Sequence, residues 1–160
     1  MPDLRTMSAL DILALHAEVL SELRERRILR SANNPTGDLA EHMFCKAFGW
    51  RPASNSNAHV DAIGENGARY QIKARRLTEN KSRQLSALRD LEDGHFDVLA
   101  AVLFSDRYAV VRAALVPHAV IVRSAKFIAR TNSHKFHLTD DVWGMPGVQD
   151  VTRELRAVQL

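Results

Sequence analysis

From Phe96 to Phe104 the chain reads FDVLAAVLF, apolar at almost every position. A strand with one wet face alternates between polar and apolar residues, so an unbroken run of this length calls for cover on both faces. The run is also far shorter than the ~20 apolar residues a membrane-spanning helix needs. It therefore predicts an inner strand of a sheet that carries other structure on both sides. With 160 residues there is enough chain for one such domain with a sizeable core. The elements on either side of the run read helix, strands, helix, strands. That order predicts an α/β fold with a mixed β-sheet flanked by helices.

Ser8 to about Leu29 has the pattern of an amphipathic helix. Ser8 and Asp11 form a capping box with Asp in the Glu position. Ile12, Leu15, Val19, Leu20 and Leu23 recur at helical spacing and are expected to form a buried stripe. Asn33-Asn34-Pro35 ends this segment in a turn, and a second helix is expected over Asp38–Phe48, closed by Gly49. On that helix Glu41 falls on the apolar side, between Cys45 and Phe48. There it is either the third-position partner of a cap at Asp38 or a carboxylate aimed inward at a cation, a metal or hydrogen-bond donors. Trp50 to Asn57 has room for a short edge strand. The spacing further predicts a helix over about Ser82–Leu91, a strand over Arg107–Ala114 and a short helix opened by Pro117. Lys126–Leu138 reads as a strand or an ordered loop, and Val148–Val158 as a last helix.

Between Asn55 and Arg76 lies NSNAHVDAIGENGARYQIKARR, which reads as two strands, Ala58–Ile63 and Arg69–Arg75, joined by a tight turn. Alternation puts Tyr70, Ile72 and Ala74 on one face and Arg69, Gln71, Lys73 and Arg75 on the other. Whether Asp61 joins the second set depends on the turn. A three-residue loop, Glu65-Asn66-Gly67 with Gly67 left-handed, pairs Asp61 with Gln71. A two-residue Asn-Gly turn sends Asp61 to the opposite face from Lys73. The sequence allows both, and the three-residue loop is the expectation taken forward. The same residues also suit a solvated hairpin with ordinary surface charges.

Other features narrow the classes of function. The lone Cys45 leaves no internal disulfide and no cysteine zinc cluster, in keeping with a reducing cytoplasm. The N-terminal apolar residues are interleaved with Asp11, His16 and Glu18, unlike a signal peptide. His134 and His137 lack a third ligand, and Gly64 and Gly67 lack the Gly-Lys-Ser/Thr of a phosphate loop. Net charge is only +3, so placement matters more than sum. Basic residues concentrate from Arg69 to Arg89, with Arg75, Arg76, Lys81 and Arg83 between them, a pattern suited to phosphate contacts or to a plain solvated surface. Asn55 and Asn57 add possible hydrogen-bonding groups for nucleic acid, though they suit a turn as well.

Glu41 on a helix, followed by Asp61 and then Gln71-Ile72-Lys73, resembles the core of the PD-(D/E)xK nuclease superfamily, with Gln in the usual acidic slot and Val60 where Pro is common. The layout is most similar to the small homodimeric type II restriction endonucleases. The likeness covers roughly Thr36 to Ala125, so that 1–31 becomes a scaffold or dimer helix, 36–125 the nuclease core and 126–160 a C-terminal extension. It implies a restriction endonuclease-like fold and Mg²⁺-dependent hydrolysis of DNA phosphodiesters, with Mn²⁺ able to substitute, in a restriction or related defence system. Asp61, Gln71 through its side-chain oxygen, Ile72 through its carbonyl and Glu41 would be the metal ligands. Lys73 would orient or deprotonate the attacking water. Arg69, Arg75, Arg76, Lys81, Arg83, Asn55 and Asn57 would contact DNA. One site per chain implies a homodimer for a double-strand break. The competing reading is a DNA-binding module that keeps this core and, through Gln71, has lost cleavage.

Overall fold

The computed structural model describes residues 2–54, 59–79 and 81–160. It is a mixed α/β structure in which helices flank a six-stranded sheet of order β1-β2-β3-β4-β5-β8. β1 is Arg51–Pro52, β2 Ala62–Ile63, β3 Arg69–Arg76, β4 Val98–Phe104, β5 Val110–Pro117 and β8 Gln149–Asp150. β3 and β4 run parallel, and every other pair in the sheet is antiparallel. The parallel pair needs a crossover, which residues 77–97 provide.

The apolar run is indeed the inner strand, and Leu99 to Phe104 are buried on both faces. One core holds Ala100, Val102 and Phe104 with Ile72 of β3, beneath α2 (Pro35–Phe48) and α4 (Thr152–Arg156), which contribute Leu39, Ala40, Met43, Phe44 and Leu155. The other holds Leu99, Ala101 and Leu103 beneath α3 (His118–Ser124) and a hairpin-like layer that supplies Leu85, Leu88, Leu91, Phe136 and Leu138. Part of that layer is the pair β6 (Lys126–Ile128) and β7 (Ser133–Lys135).

Several expectations need correction. Leu85 and Leu88 do not lie on a helix, and Leu91 only opens a single 3-10 turn, Leu91–Asp93. The Leu85 and Leu88 N–H groups donate to the Phe136 and His134 carbonyls, so the segment is extended and pairs with β7 and its neighbours. The second helix starts a turn early, at Pro35, because Asn34 caps it by accepting the Thr36 N–H and Pro35 suits the first helical position. Asp38 is therefore not its cap. The last helix shrinks to α4, since Gln149–Asp150 is captured as an edge strand by β5. The strand expected from Arg107 begins at Val110, after a turn in which Tyr108 is left-handed. The first helix, α1 (Ala9–Glu25), is capped by Ser8 as expected, but none of its residues is buried. Leu10 and Leu13 are 78% and 63% exposed.

Candidate active site at the β2–β3 fork

The loop between β2 and β3 is the three-residue Glu65-Asn66-Gly67. The Gly64 N–H donates to the Ala68 carbonyl, Gly67 has φ +80°, and Ala62 pairs with Tyr70. Continued one step, that register sets Asp61 across from Gln71. Gly64 is needed for a different reason. A Cβ there would come within 3.1 Å of the Tyr70 ring.

The first strand is shorter than expected. Of Ala58–Ile63, Ala58 lies outside the described residues and pairing in β2 begins only at Ala62. Asp61 is a bend residue, because its side chain takes over the role of a strand carbonyl. Its Oδ2 accepts the Ile72 N–H at 2.6 Å, while its own N–H donates to the Tyr70 carbonyl at 2.8 Å. Its carbonyl accepts the Ala53 N–H at 2.9 Å, which ties the bend to the residue that follows β1. The two strands thus separate at Asp61 and leave its carboxylate where they fork.

On β3, Ile72 joins the core under α2, and Gln71, Lys73 and Arg75 point to the other layer beside Leu99, Ala101 and Leu103. Gln71 is 5% exposed and its Oε1 is buried without a hydrogen-bond partner. Such an orphaned acceptor is costly unless something fills the position. From α2, Glu41 reaches toward the fork. Its Oε2 lies 3.0 Å from Nη1 of Arg30, a residue in the loop between α1 and α2.

The electrostatics tie these groups together. Burial pushes the Asp61 carboxyl above the ordinary range, and the Ile72 N–H and the charges of Lys73 and Arg30 oppose that push. Burial also raises Glu41, the nearby Asp61 carboxylate adds to the effect, and Arg30 opposes it. Two half-buried acids that feel each other are thus held beside two cations. Cys45, one turn along α2 from Glu41, is pushed up to about 11 by burial, which keeps the thiol protonated. It packs against the core.

No protein-family model and no curated protein sequence matches the chain. The chemistry of the site is therefore read from its own donors.

Among the described residues no three His, Cys, Asp or Glu side chains converge as a protein-built metal cage requires. Asp61 and Glu41 bring hard carboxylate oxygens to the fork, and the neighbouring β3 residues Gln71 and Ile72 carry an amide and a main-chain oxygen. Such a set suits Mg²⁺, which keeps several waters and takes few protein ligands. The unpartnered Gln71 Oε1 fits that role as well.

The proposed nucleic-acid contacts are divided by the fold. Arg75 and Arg76, at the far end of β3, line a cleft of about 340 Å³ with Asn34, Thr36 and Thr78 at the N-terminus of α2. Lys81 is exposed. Arg69 sits at the opposite end of β3, held by Asp97 at 2.7 Å and by the Gly94 carbonyl. Arg83 pairs with Asp140 at 2.7 Å. Asn55 and Asn57 lie outside the described residues. Arg30 was not singled out in the sequence, where it is one more basic residue in a basic stretch.

Proposed function

We propose that the chain is a metal-dependent endonuclease of the PD-(D/E)xK type, acting on DNA, with the β2–β3 fork as its active site. The observation that carries this reading is the seat of Asp61. Its carboxylate is fixed on the Ile72 N–H at the fork and lies within electrostatic reach of Lys73 and Glu41. A bound Mg²⁺ would activate a water and neutralise the phosphoryl oxygens. Asp61 would hold the ion with the Gln71 amide oxygen, the Ile72 carbonyl and Glu41. Lys73 would orient the attacking water or take its proton, and would balance charge that develops on the phosphate. Arg75 and Arg76, on the cleft at the α2 N-terminus, would bind a neighbouring phosphate of the same strand.

The reading extends to a dimer, since one fork per chain cuts one strand. The occupant we assign to the exposed apolar side of α1 is a second copy of α1, antiparallel to the first. Residues 9–18 carry Asp11 and Glu18 with no Lys or Arg, whereas residues 19–27 carry Arg24, Arg26 and Arg27 against Glu22 and Glu25. An antiparallel pair sets these unlike halves side by side.

The deciding experiment is plasmid cleavage with Mg²⁺ or Mn²⁺. Asp61→Ala and Lys73→Ala are expected to lose at least ~10²-fold in rate, and Glu41→Ala to lose activity as well. Full activity in the Asp61 or Lys73 variant would remove the proposal. Gln71 in an acidic slot keeps a second reading in view, a DNA-binding module without cleavage. Its mark would be salt-sensitive DNA binding with no Asp61-dependent metal site in calorimetry.

A further inference from the structure

Arg30 is built into the fork from two directions. Its own N–H and that of Ser31 both donate to Oδ2 of Asp38, at 2.8 and 2.7 Å, so the first turn of α2 clamps the loop. Its side chain then runs to Glu41, one turn further along α2, with Nη1 3.0 Å from Oε2. The Arg30 side chain is 43% exposed while the Glu41 side chain is 24% exposed. In this pair the acid is the more sheltered partner. Both residues line a cleft of about 270 Å³, which Arg27 and Lys46 also line.

Two neighbouring half-buried carboxylates need positive charge nearby whether or not a metal is bound, because an uncompensated buried charge is strongly unfavourable. In the metal-free molecule the Arg30 guanidinium is placed to supply part of it. A divalent ion entering between Asp61 and Glu41 would compete for the same Glu41 oxygen and repel the same guanidinium. A nucleic-acid phosphate arriving with the ion would attract it, since the planar guanidinium fork matches phosphate as well as it matches carboxylate.

Building on the nuclease reading, we infer that Arg30 is an exchangeable counter-ion: it holds Glu41 while no metal is bound, and passes to a substrate phosphate when metal and DNA bind together. Arg30 then weakens metal binding to the free protein, and DNA relieves that penalty. By linkage, metal tightens DNA by the same factor that DNA tightens metal. The consequence is that the fork loads its ion on the substrate and stays largely empty without it.

The test is calorimetric titration of Mn²⁺ into the intact chain, with and without a short DNA duplex carrying non-hydrolysable linkages, for wild type, Arg30→Ala, Arg30→Gln and Asp61→Ala. Without DNA, Arg30→Ala is expected to bind Mn²⁺ about 10-fold tighter than wild type, and with DNA the enhancement is expected to shrink about 10-fold. A purely structural role for Arg30 predicts weaker metal binding in both conditions. Arg30→Gln retains a neutral donor toward Glu41 and gives the same readout if the Ala variant does not fold. Unchanged or weaker Mn²⁺ binding in the Arg30 variants without DNA, alongside Asp61-dependent binding in wild type, overturns this inference and leaves the nuclease reading standing. Wild-type binding that is absent even with DNA present, or indifferent to Asp61, overturns both.

Discussion

One oxygen of the Asp61 carboxylate does the work of a strand carbonyl by taking the Ile72 N–H, and the group is buried enough that its ionised form is disfavoured. These two facts make opposite demands on a substitution. Asparagine keeps an acceptor for the Ile72 N–H and cannot ionise. Because the folded-state pKa of Asp61 lies above that of the unfolded chain, the folded protein holds this proton more tightly. Stability therefore falls as pH rises from the ordinary carboxylate range through the raised value, and stays lower above it. Metal-free Asp61→Asn should accordingly melt a few degrees higher than wild type at pH 8, the scale of a substitution worth about 1 kcal/mol in a chain of this length. Below the ordinary carboxylate range the difference should vanish. A melting temperature at pH 8 equal to or below that of wild type would contradict the argument. Added Mg²⁺ should stabilise the wild type and not the variant. The same raised values predict an acid limit of cleavage above the ordinary carboxylate range, since ligation requires the ionised form.

A stack of rings joins α2 to β3 through Trp50, which lies between α2 and β1. Phe44 and Phe48 of α2 lie 5.8 and 5.0 Å from Trp50, and Trp50 stacks on Tyr70 of β3 at 3.6 Å, nearly parallel. The indole thus fixes the end of the Glu41 helix against the strand that carries Gln71 and Lys73. Trp50→Ala should cost about 3–5 kcal/mol of stability in urea unfolding. A loss under about 1 kcal/mol would show that the stack is incidental. The hairpin was legible in the sequence because its information is local: an odd loop with glycine at the left-handed position pairs Asp61 with Gln71, although a two-residue turn was also allowed. Residues 82–91 were not legible. Leu85, Leu88 and Leu91 follow a helix-like interval, yet the backbone partners of Leu85 and Leu88 lie some 50 residues away, at Phe136 and His134, and no local pattern reports them. Arg30 escaped notice for a related reason. Its importance comes from Asp38 clamping its loop, and Asp38 itself looked like a helix cap. Glu41, in contrast, stood out because a carboxylate on an apolar helical face always requires an explanation.

For the molecule as a whole, α1 is the element whose sequence and surroundings disagree. Leu10, Ile12, Leu13 and Val19 are exposed, although a helix this apolar is ordinarily covered. If a second α1 covers it, sedimentation should give a dimer at micromolar concentration, and Leu10→Glu with Leu13→Glu should give a folded monomer that nicks plasmid but no longer linearises it efficiently. A wild type that sediments as a monomer at such concentrations would rule the pairing out. Among the described residues no helix is long and apolar enough to cross a membrane. The sheet itself offers little to a partner. Each of its margins is a strand of only two residues, and one of them includes Pro52, which has no amide hydrogen to give. Lateral addition of a foreign strand, the common route to fibrils and runaway association, finds almost no exposed ladder to extend. A molecule blunted in this way can carry a greasy outer helix at high concentration with its association confined to that helix.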